Sequence, residues 1–543
     1  MTEYIPVLYG TETGTAEECS FSLAKAITSY GIPAKAIDLY DFTCEDLSTL
    51  PLVFIISSTH GNGDPPENAI DLMDHLDMDE PDLKNVLYGV CGLGDSTYPY
   101  FAQCGKDFDS HMEKNGATRI VPRIDCDVNF EVPFAQFKTS VLKYLKENDE
   151  NVRAILNIAP SASTETAAPP PTKEKEPEKT FSRDNPAAGT MLVKKILSKP
   201  GSNKETMHYE IDLSNTEISY VSGDCIGVYP QNNIEEVQAI LNQIQCTGQE
   251  NVSWQGETVP LKEVLRKKAC LQHVSVDFLQ FLSQSNHAIQ TLLNGESKSL
   301  EQYLASHHML DVLKQVSISI PAENFASMLQ RIKPRLYSIA SSPNKYPKSV
   351  HFCIETIRYQ RHDRSVEGVA STWFADRIDD RSPIPVYLHS NPRFRLPKEP
   401  APVIMIGPGT GIAPFIAFLQ EKEMLMFGGE TWLFFGHQHE QKDYLYKEEI
   451  EKAMGNGTLN RLDLAWSRDQ EEKVYVQHKI WERRKEIWDW YQRGAYFYVC
   501  GDASRMAVDV HKTLQKIAEA NGENGAMWIN GLESSNRYQR DVY

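Results

Sequence analysis

Between Ala159 and Lys179 the chain loses the means to pack: Pro169, Pro170 and Pro171 stand among Ser, Thr, Ala, Lys and Glu, with no large apolar side chain. Such a segment cannot bury enough surface to offset the entropy of ordering it. It constrains the fold more than any other stretch, because whatever lies before and after it must fold separately. An extended Pro-rich segment spans about 3 Å per residue, giving this one a reach of roughly 60 Å. The reading is residues 1–150, a flexible linker over 151–184, and a long C-terminal part, in a chain of 543 residues. At about 150 residues per domain, that length holds three or four domains.

Residues 1–150 alternate strand and helix patterns: Tyr4 to Tyr9, Leu52 to Ser57 and Val86 to Gly92 as strands, Ala16 to Tyr30 and Phe134 to Lys146 as helices. This predicts a doubly wound parallel sheet, in which ligands bind beyond the carboxyl ends of the strands. Three loops occupy those places. The first, Thr11, Glu12, Thr13, Gly14, Thr15 and Ala16, offers hydroxyls and helix-start amides to a phosphate without the lysine of a P-loop. The second runs Ser58, Thr59, His60, Gly61, Asn62, Gly63, and its glycines let a planar ring approach the backbone. The third runs Leu93, Gly94, Asp95, Ser96, Thr97, Tyr98, Pro99, Tyr100, Phe101 and Ala102, and places an aromatic to stack on that ring.

The net charge of −19 resides mostly in this module: residues 1–150 hold 26 Asp and Glu against 10 Lys and Arg. Such a field repels nucleic acid and steers a basic protein partner. No run of about 18 apolar residues predicts a membrane span, and the N-terminus lacks a signal-sequence pattern, so the cytoplasm is the expected compartment. The ten cysteines are scattered without a Cys-x-x-Cys pair, which fits reduced thiols and no metal centre; His437-Gln438-His439 has no supporting ligand nearby.

After the linker the pattern turns to β, with a helical insert at about 234–316, across a domain at 185–398. Within it, Arg335, Leu336, Tyr337 and Ser338 combine a phosphate-pairing cation, a flat ring and a hydroxyl, a set suited to a flavin dinucleotide. Gly368, Val369, Ala370 and Ser371 open a helical run whose amides suit a pyrophosphate. The last domain, 399–543, starts on a buried strand, a Gly-rich turn with Gly409 and Thr410, and a helix, the geometry for a second dinucleotide. Ser467, Arg468, Lys473, Val474, Tyr475, Val476 and Gln477 supply cations and hydroxyls where an NAD site usually presents an acid, which favours a 2′-phosphate and so NADPH.

These motifs, in this order, resemble the NADPH-dependent two-flavin (diflavin) reductases: a flavodoxin-like FMN module, a ferredoxin-NADP-reductase-like FAD barrel with its helical insert, and an NADP-binding α/β domain. Gly105 to Asp109, Asp125-Cys126-Asp127 and Leu464 to Gln477 resemble the sulfite reductase branch. The resemblance implies that Tyr98 stacks on FMN with His60 near it. It implies that Cys353, Ile354, Glu355 and Tyr359 lie near FAD, and that Asp509 contacts NADPH. It further implies that Ser338, Cys500 and Asp541 surround the hydride-transfer position beneath Tyr543, the ring that covers FAD. It also implies an acceptor, the sirohaem and iron–sulfur subunit of a sulfite reductase, since this chain lacks four clustered Cys ligands. A reductase for a monooxygenase or another haem protein, or an assembly component with secondary redox activity, remains an alternative.

Overall fold

In a computed structural model of the chain, the described residues are 4–11, 14–59, 63–94, 100–127, 130–156, 181, 185–316, 318–361, 364–378, 382–391, 393–426, 428–503 and 505–543. They form two compact units, 1–176 with 232–333, and 177–231 with 334–543.

The first unit is built on a parallel sheet of β1 (Ile5–Gly10), β2 (Ala34–Asp38), β3 (Leu52–Ser58), β4 (Leu87–Leu93), β5 (Thr118–Arg119) and β6 (Ile124–Cys126). The order is β2-β1-β3-β4-β5, with β6 also on β4. Strands β1, β3 and β4 are apolar on both faces, as central parallel strands must be. Their alternate side chains enter two cores. Val7, Phe54 and Ile56 meet the helices Thr15–Ser29 and Glu131–Glu147, while Leu8, Val53 and Ile55 meet the helix Gln103–Lys114. In register, Gly10 pairs with Ser57 and Ser58 with Leu93, so the three loops leave one edge of the sheet side by side. The helix Asp149–Ile155 runs past the expected boundary at 150, with Val152 and Leu156 in the sheet's own core. The rest of the expected linker lies almost entirely outside the described residues.

The insert is longer than the sequence pattern suggested. It carries a hairpin, β10 (Asn251–Trp254) with β11 (Glu257–Pro260), and a further helix, Ala322–Met328. Val132 of the flavodoxin-like module packs into the insert's core, and Lys138 pairs with Asp277 at 3.0 Å.

In the second unit, β7 (Ala187–Ile196), β8 (Glu205–Asp212), β9 (Cys225–Val228), β12 (Arg335–Ser338), β13 (Ser349–Thr356) and β16 (Ile384–His389) form an antiparallel sheet in the order β12-β9-β16-β7-β8-β13. A hairpin, β14 (Arg358–Arg361) with β15 (Arg364–Glu367), stands apart from it. The parallel sheet that follows, β17 (Val403–Ile406), β18 (Thr431–His437), β19 (Arg461–Trp466), β20 (Tyr496–Gly501) and β21 (Tyr538–Val542), has the order β19-β18-β17-β20-β21. Its order reverses between β17 and β20, the switch point at which such sheets bind ligands.

Candidate active site

Two ladder registers build the centre of the second unit. Antiparallel pairing of β12 with β9 sets Ser338 opposite Cys225, and parallel pairing of β21 with β20 sets Asp541 beside Cys500. The two pairs meet: Ser338 Oγ donates to Asp541 Oδ2 at 2.5 Å, with Cys500 Sγ 3.7 Å from Oδ2 and Cys225 Sγ 3.9 Å from Oδ1. Burial, then the Asp541 charge, pushes both thiols well above their ordinary range, so they face the carboxylate as neutral groups. Cys225 was not anticipated. It sits in an apolar strand without a motif, and only its register with Ser338 reveals it.

Above this cluster the Thr410 and Tyr543 hydroxyls lie 2.8 Å apart, and the Cys353 thiol points at the Thr410 carbonyl at 3.8 Å. The Tyr543 side is 61% exposed, yet shelter around its hydroxyl raises the phenol's pKa. The turn itself tolerates no side chain at Gly411, where a Cβ would come within 2.1 Å of the Cys500 carbonyl oxygen. Backbone close to the switch point is what a dinucleotide pyrophosphate needs.

On β12, Arg335 is exposed and Leu336 half-buried, while Tyr337 lies parallel to Phe352 with ring centroids 5.3 Å apart. One aromatic partner of Tyr337 is therefore a barrel residue. Ile354 points into the barrel core, on the opposite side from Cys353, and Glu355 pairs with Lys204. Tyr359 lies beyond the end of β13. The strand carrying Cys353 stops before it, because the Ile357 N–H donates to Ser371 Oγ (3.1 Å) and the Gly368 N–H to the Ile357 carbonyl (2.8 Å). Those bonds tie the strand end to the helix start at Gly368, Val369, Ala370 and Ser371, and Tyr359 moves onto the β14 hairpin under Arg361.

At the end of β19, backbone bonds hold Ser467 to His437 and Arg468 to Gln438, both at 2.9 Å. Tyr475 opens the helix Val476–Glu482, half-buried Val474 packs beneath, and Gln477 donates to Asp509 at 3.1 Å. Among the described residues Arg468 and Lys473 are exposed and have no ion-pair partner.

In the first unit, Thr11 Oγ1 accepts from the Gly14 N–H (2.9 Å), and the Thr11 N–H donates to buried Asn68 (2.9 Å). Thr59 Oγ1 accepts from the Cys104 N–H and Ser58 donates to the Gly10 carbonyl, both at 3.2 Å, so the loops brace one another. A Cβ on Gly94 would lie 2.5 Å from the Ala102 nitrogen, and Ala102 itself takes a left-handed φ of 50° to start its helix. Tyr100 is exposed, and Lys106 sits over the Phe101 ring. Glu12, Thr13, His60, Gly61, Asp95, Ser96, Thr97, Tyr98 and Pro99 lie outside the described residues. The hydroxyls and amides that are described suit a flavin phosphate.

A flavodoxin model matches residues 7–132, an FAD binding domain model 179–259 and 277–373, and an oxidoreductase NAD-binding domain model 405–512. The chain is 37% identical, over 99% of its length and 87% of the relative's, to the sulfite reductase (NADPH) flavoprotein alpha-component of Vibrio cholerae. The protein of that name from Bacillus subtilis is 37% identical over 100% of this chain and 90% of its own. This chain belongs to the sulfite reductase flavoprotein family.

As a member of that family it is an NADPH-dependent diflavin oxidoreductase, with FMN, FAD and NADPH as its cofactors. In this flavoprotein the first loop, which ends at Thr15 and Ala16, has neighbours that no motif announced. Lys333 Nζ, at the end of the insert, donates to Thr15 Oγ1 at 2.9 Å and lies 3.6 Å from Glu18, while Arg331 pairs with Glu17 at 3.1 Å. Burial raises the Glu18 pKa to about 7, with Lys333 opposing the rise. Beside the second loop, Asp77 lies 3.6 Å from His111 and Asp79 lies 2.8 Å from His75, while Glu80 pairs with Lys114 and Asp82 with Lys84. Among the described residues no helix is long and apolar enough to cross a membrane.

Proposed function

We propose that this flavoprotein carries electrons from NADPH through FAD and FMN to a haem-containing partner, the sirohaem and iron–sulfur subunit of an assimilatory sulfite reductase. The observation that supports it best is the meeting of Ser338, Cys500 and Asp541, which come from two domains and converge on one carboxylate. Bound NADPH supplies the hydride, and the two flavins supply the conversion of hydride into single electrons. The chain's residues do the rest. Asp541 would offer its carboxylate to a bound nicotinamide, and the Ser338 hydroxyl keeps its proton on Oγ while orienting that carboxylate. Neutral Cys500 and Cys225 keep the surroundings poorly solvated. Thr410 anchors the Tyr543 hydroxyl, which would hold that ring over a bound FAD. Arg468 and Lys473 bind the 2′-phosphate, with Ser467, Tyr475, Gln477 and Asp509 around them.

We assign the protein to the cytoplasm, where its ten free cysteines stay reduced, with a protein partner rather than nucleic acid or membrane. The test is NADPH-dependent sulfite reduction with and without a purified sirohaem protein from the same source. Sulfide should form only when both are present. Dye reduction by the flavoprotein with no sulfide from the mixture would refute the acceptor.

A further inference from the structure

Three side chains outside the flavin and nucleotide sites converge on the barrel. His208 and Glu210 are two residues apart on β8 and so share a face; β13 sets His351 directly across from Glu210. One ligand atom from each lies within 4.8 Å of the others. Glu210 bridges the imidazoles, with Oε1 3.2 Å from His208 Nε2 and Oε2 3.5 Å from His351 Nε2. His351 is only 3% exposed.

The other face of His208 is also arranged. Its Nδ1 lies 2.9 Å from the Tyr446 hydroxyl. The ring is thus held from both sides, by the phenol at Nδ1 and by Glu210 at Nε2, which fixes its orientation. Among the described residues Glu210 has these two imidazoles as its ion-pair partners. The nearest lysine on the His351 side, Lys345, is bound to Glu423 at 3.2 Å. A half-buried carboxylate thus sits between two ring nitrogens, three donor atoms close enough together for one cation to share.

We propose that His208, Glu210 and His351 bind a divalent transition metal of the zinc class, which ties β8 to β13 under Tyr446. Two imidazole nitrogens and one carboxylate oxygen are a donor set that zinc accepts, at about 2.0 to 2.2 Å once the side chains close on a common centre. The rigid ladder supplies all three donors, so closure needs side-chain rotation alone. The Ser349 hydroxyl, 3.0 Å from His351 Nε2, stands beside the remaining coordination position.

The experiment uses the full-length, flavin-loaded protein, stripped with a chelator, desalted, dialysed against Zn2+ and analysed for metal per chain. About one equivalent is expected, with the affinity falling roughly tenfold or more in Glu210→Gln and uptake lost in the His208→Asn/His351→Asn pair. His439→Gln, at the more exposed His439–Asp469 pair, should keep the full equivalent. FAD content and circular dichroism establish that each variant is folded, and Glu210→Gln serves where the double variant is not. Co2+ should give ligand-field absorption in the parent that Glu210→Gln weakens. Failure of the parent to take up stoichiometric Zn2+, or equal uptake by Glu210→Gln and the parent, would overturn the proposal.

Discussion

Replacing Lys333 by Met keeps most of the stem and removes the charge that links the insert to the first turn of the helix Thr15–Ser29. Part of the loss is independent of pH. A hydrogen bond from a charged donor to Thr15 Oγ1 and the contact of Nζ with the Phe130 ring at 5.3 Å disappear, together about 2 kcal/mol at the lower ends of their usual ranges. The Glu18 part depends on pH. Its side chain is 16% exposed and its pKa is raised to about 7, above that of an unfolded carboxylate. The stability it contributes is therefore full below the unfolded pKa and is lost as pH rises through 7. At pH 6 Glu18 carries its proton with or without Lys333, and its share in the variant's loss is near zero. At pH 8 the parent holds an ionised Glu18 beside Lys333. The variant must take up a proton there, at about 1.4 kcal/mol for the unit between 7 and 8. The expected destabilisation is thus about 2 kcal/mol at pH 6 and about 3 kcal/mol at pH 8. Urea midpoints for FMN release from the full-length protein, followed by FMN fluorescence, report on the unit that contains this contact. In a Glu18→Gln background the two pH values should give the same loss. Equal losses at pH 6 and 8 in the parent background, or a pH difference surviving Glu18→Gln, would refute the reasoning.

Asp541→Asn keeps the shape at Ser338 and removes the charge, so NADPH-driven FAD reduction should slow by about 10- to 100-fold in stopped flow at normal FAD content, in line with a charge-assisted contact of roughly 1.5 to 3 kcal/mol. An unchanged rate would remove Asp541 from the hydride site. Arg468→Ala with Lys473→Ala should weaken NADPH far more than NADH, and equal losses would show that the pair does not read the 2′-phosphate. Tyr543→Ala should shift the NADPH/NADH specificity ratio toward NADH, because stacking worth about 0.5 to 1.5 kcal/mol no longer opposes nicotinamide entry. An unaltered ratio with unaltered FAD fluorescence would mean that the ring does not cover the flavin.

The parallel sheets were legible because β1, β3, β4 and β17 are short unbroken apolar runs, each feeding a loop rich in Gly or hydroxyls. Strand β2, Ala34–Asp38, was not: it lies at the sheet edge with Lys35 exposed and has neither alternation nor a continuous apolar run. The β10–β11 hairpin was hidden in the insert for a related reason, being four residues per strand inside a helical pattern. The end of β13 short of Tyr359 was not legible, because no local signal tells that Ile357 gives its backbone bonds to Ser371 and Gly368.

Residue order and type alone determined three modules, their succession and the loops that bear the chemistry, since strand-to-helix patterning and turn composition are local properties. Tertiary structure decided which distant residues touch. Ser338 and Asp541 are 203 positions apart and Lys333 and Thr15 are 318 apart, and nothing in either neighbourhood encodes the contact. The registers of β9 with β12 and of β20 with β21, and the packing of the insert on the flavodoxin-like helices, set those distances. A one-residue slip in either ladder would turn Ser338 or Asp541 to the other face of its sheet. The cluster of Ser338, Cys500 and Asp541 is thus a property of strand pairing, which burial of whole faces specifies and no single motif contains.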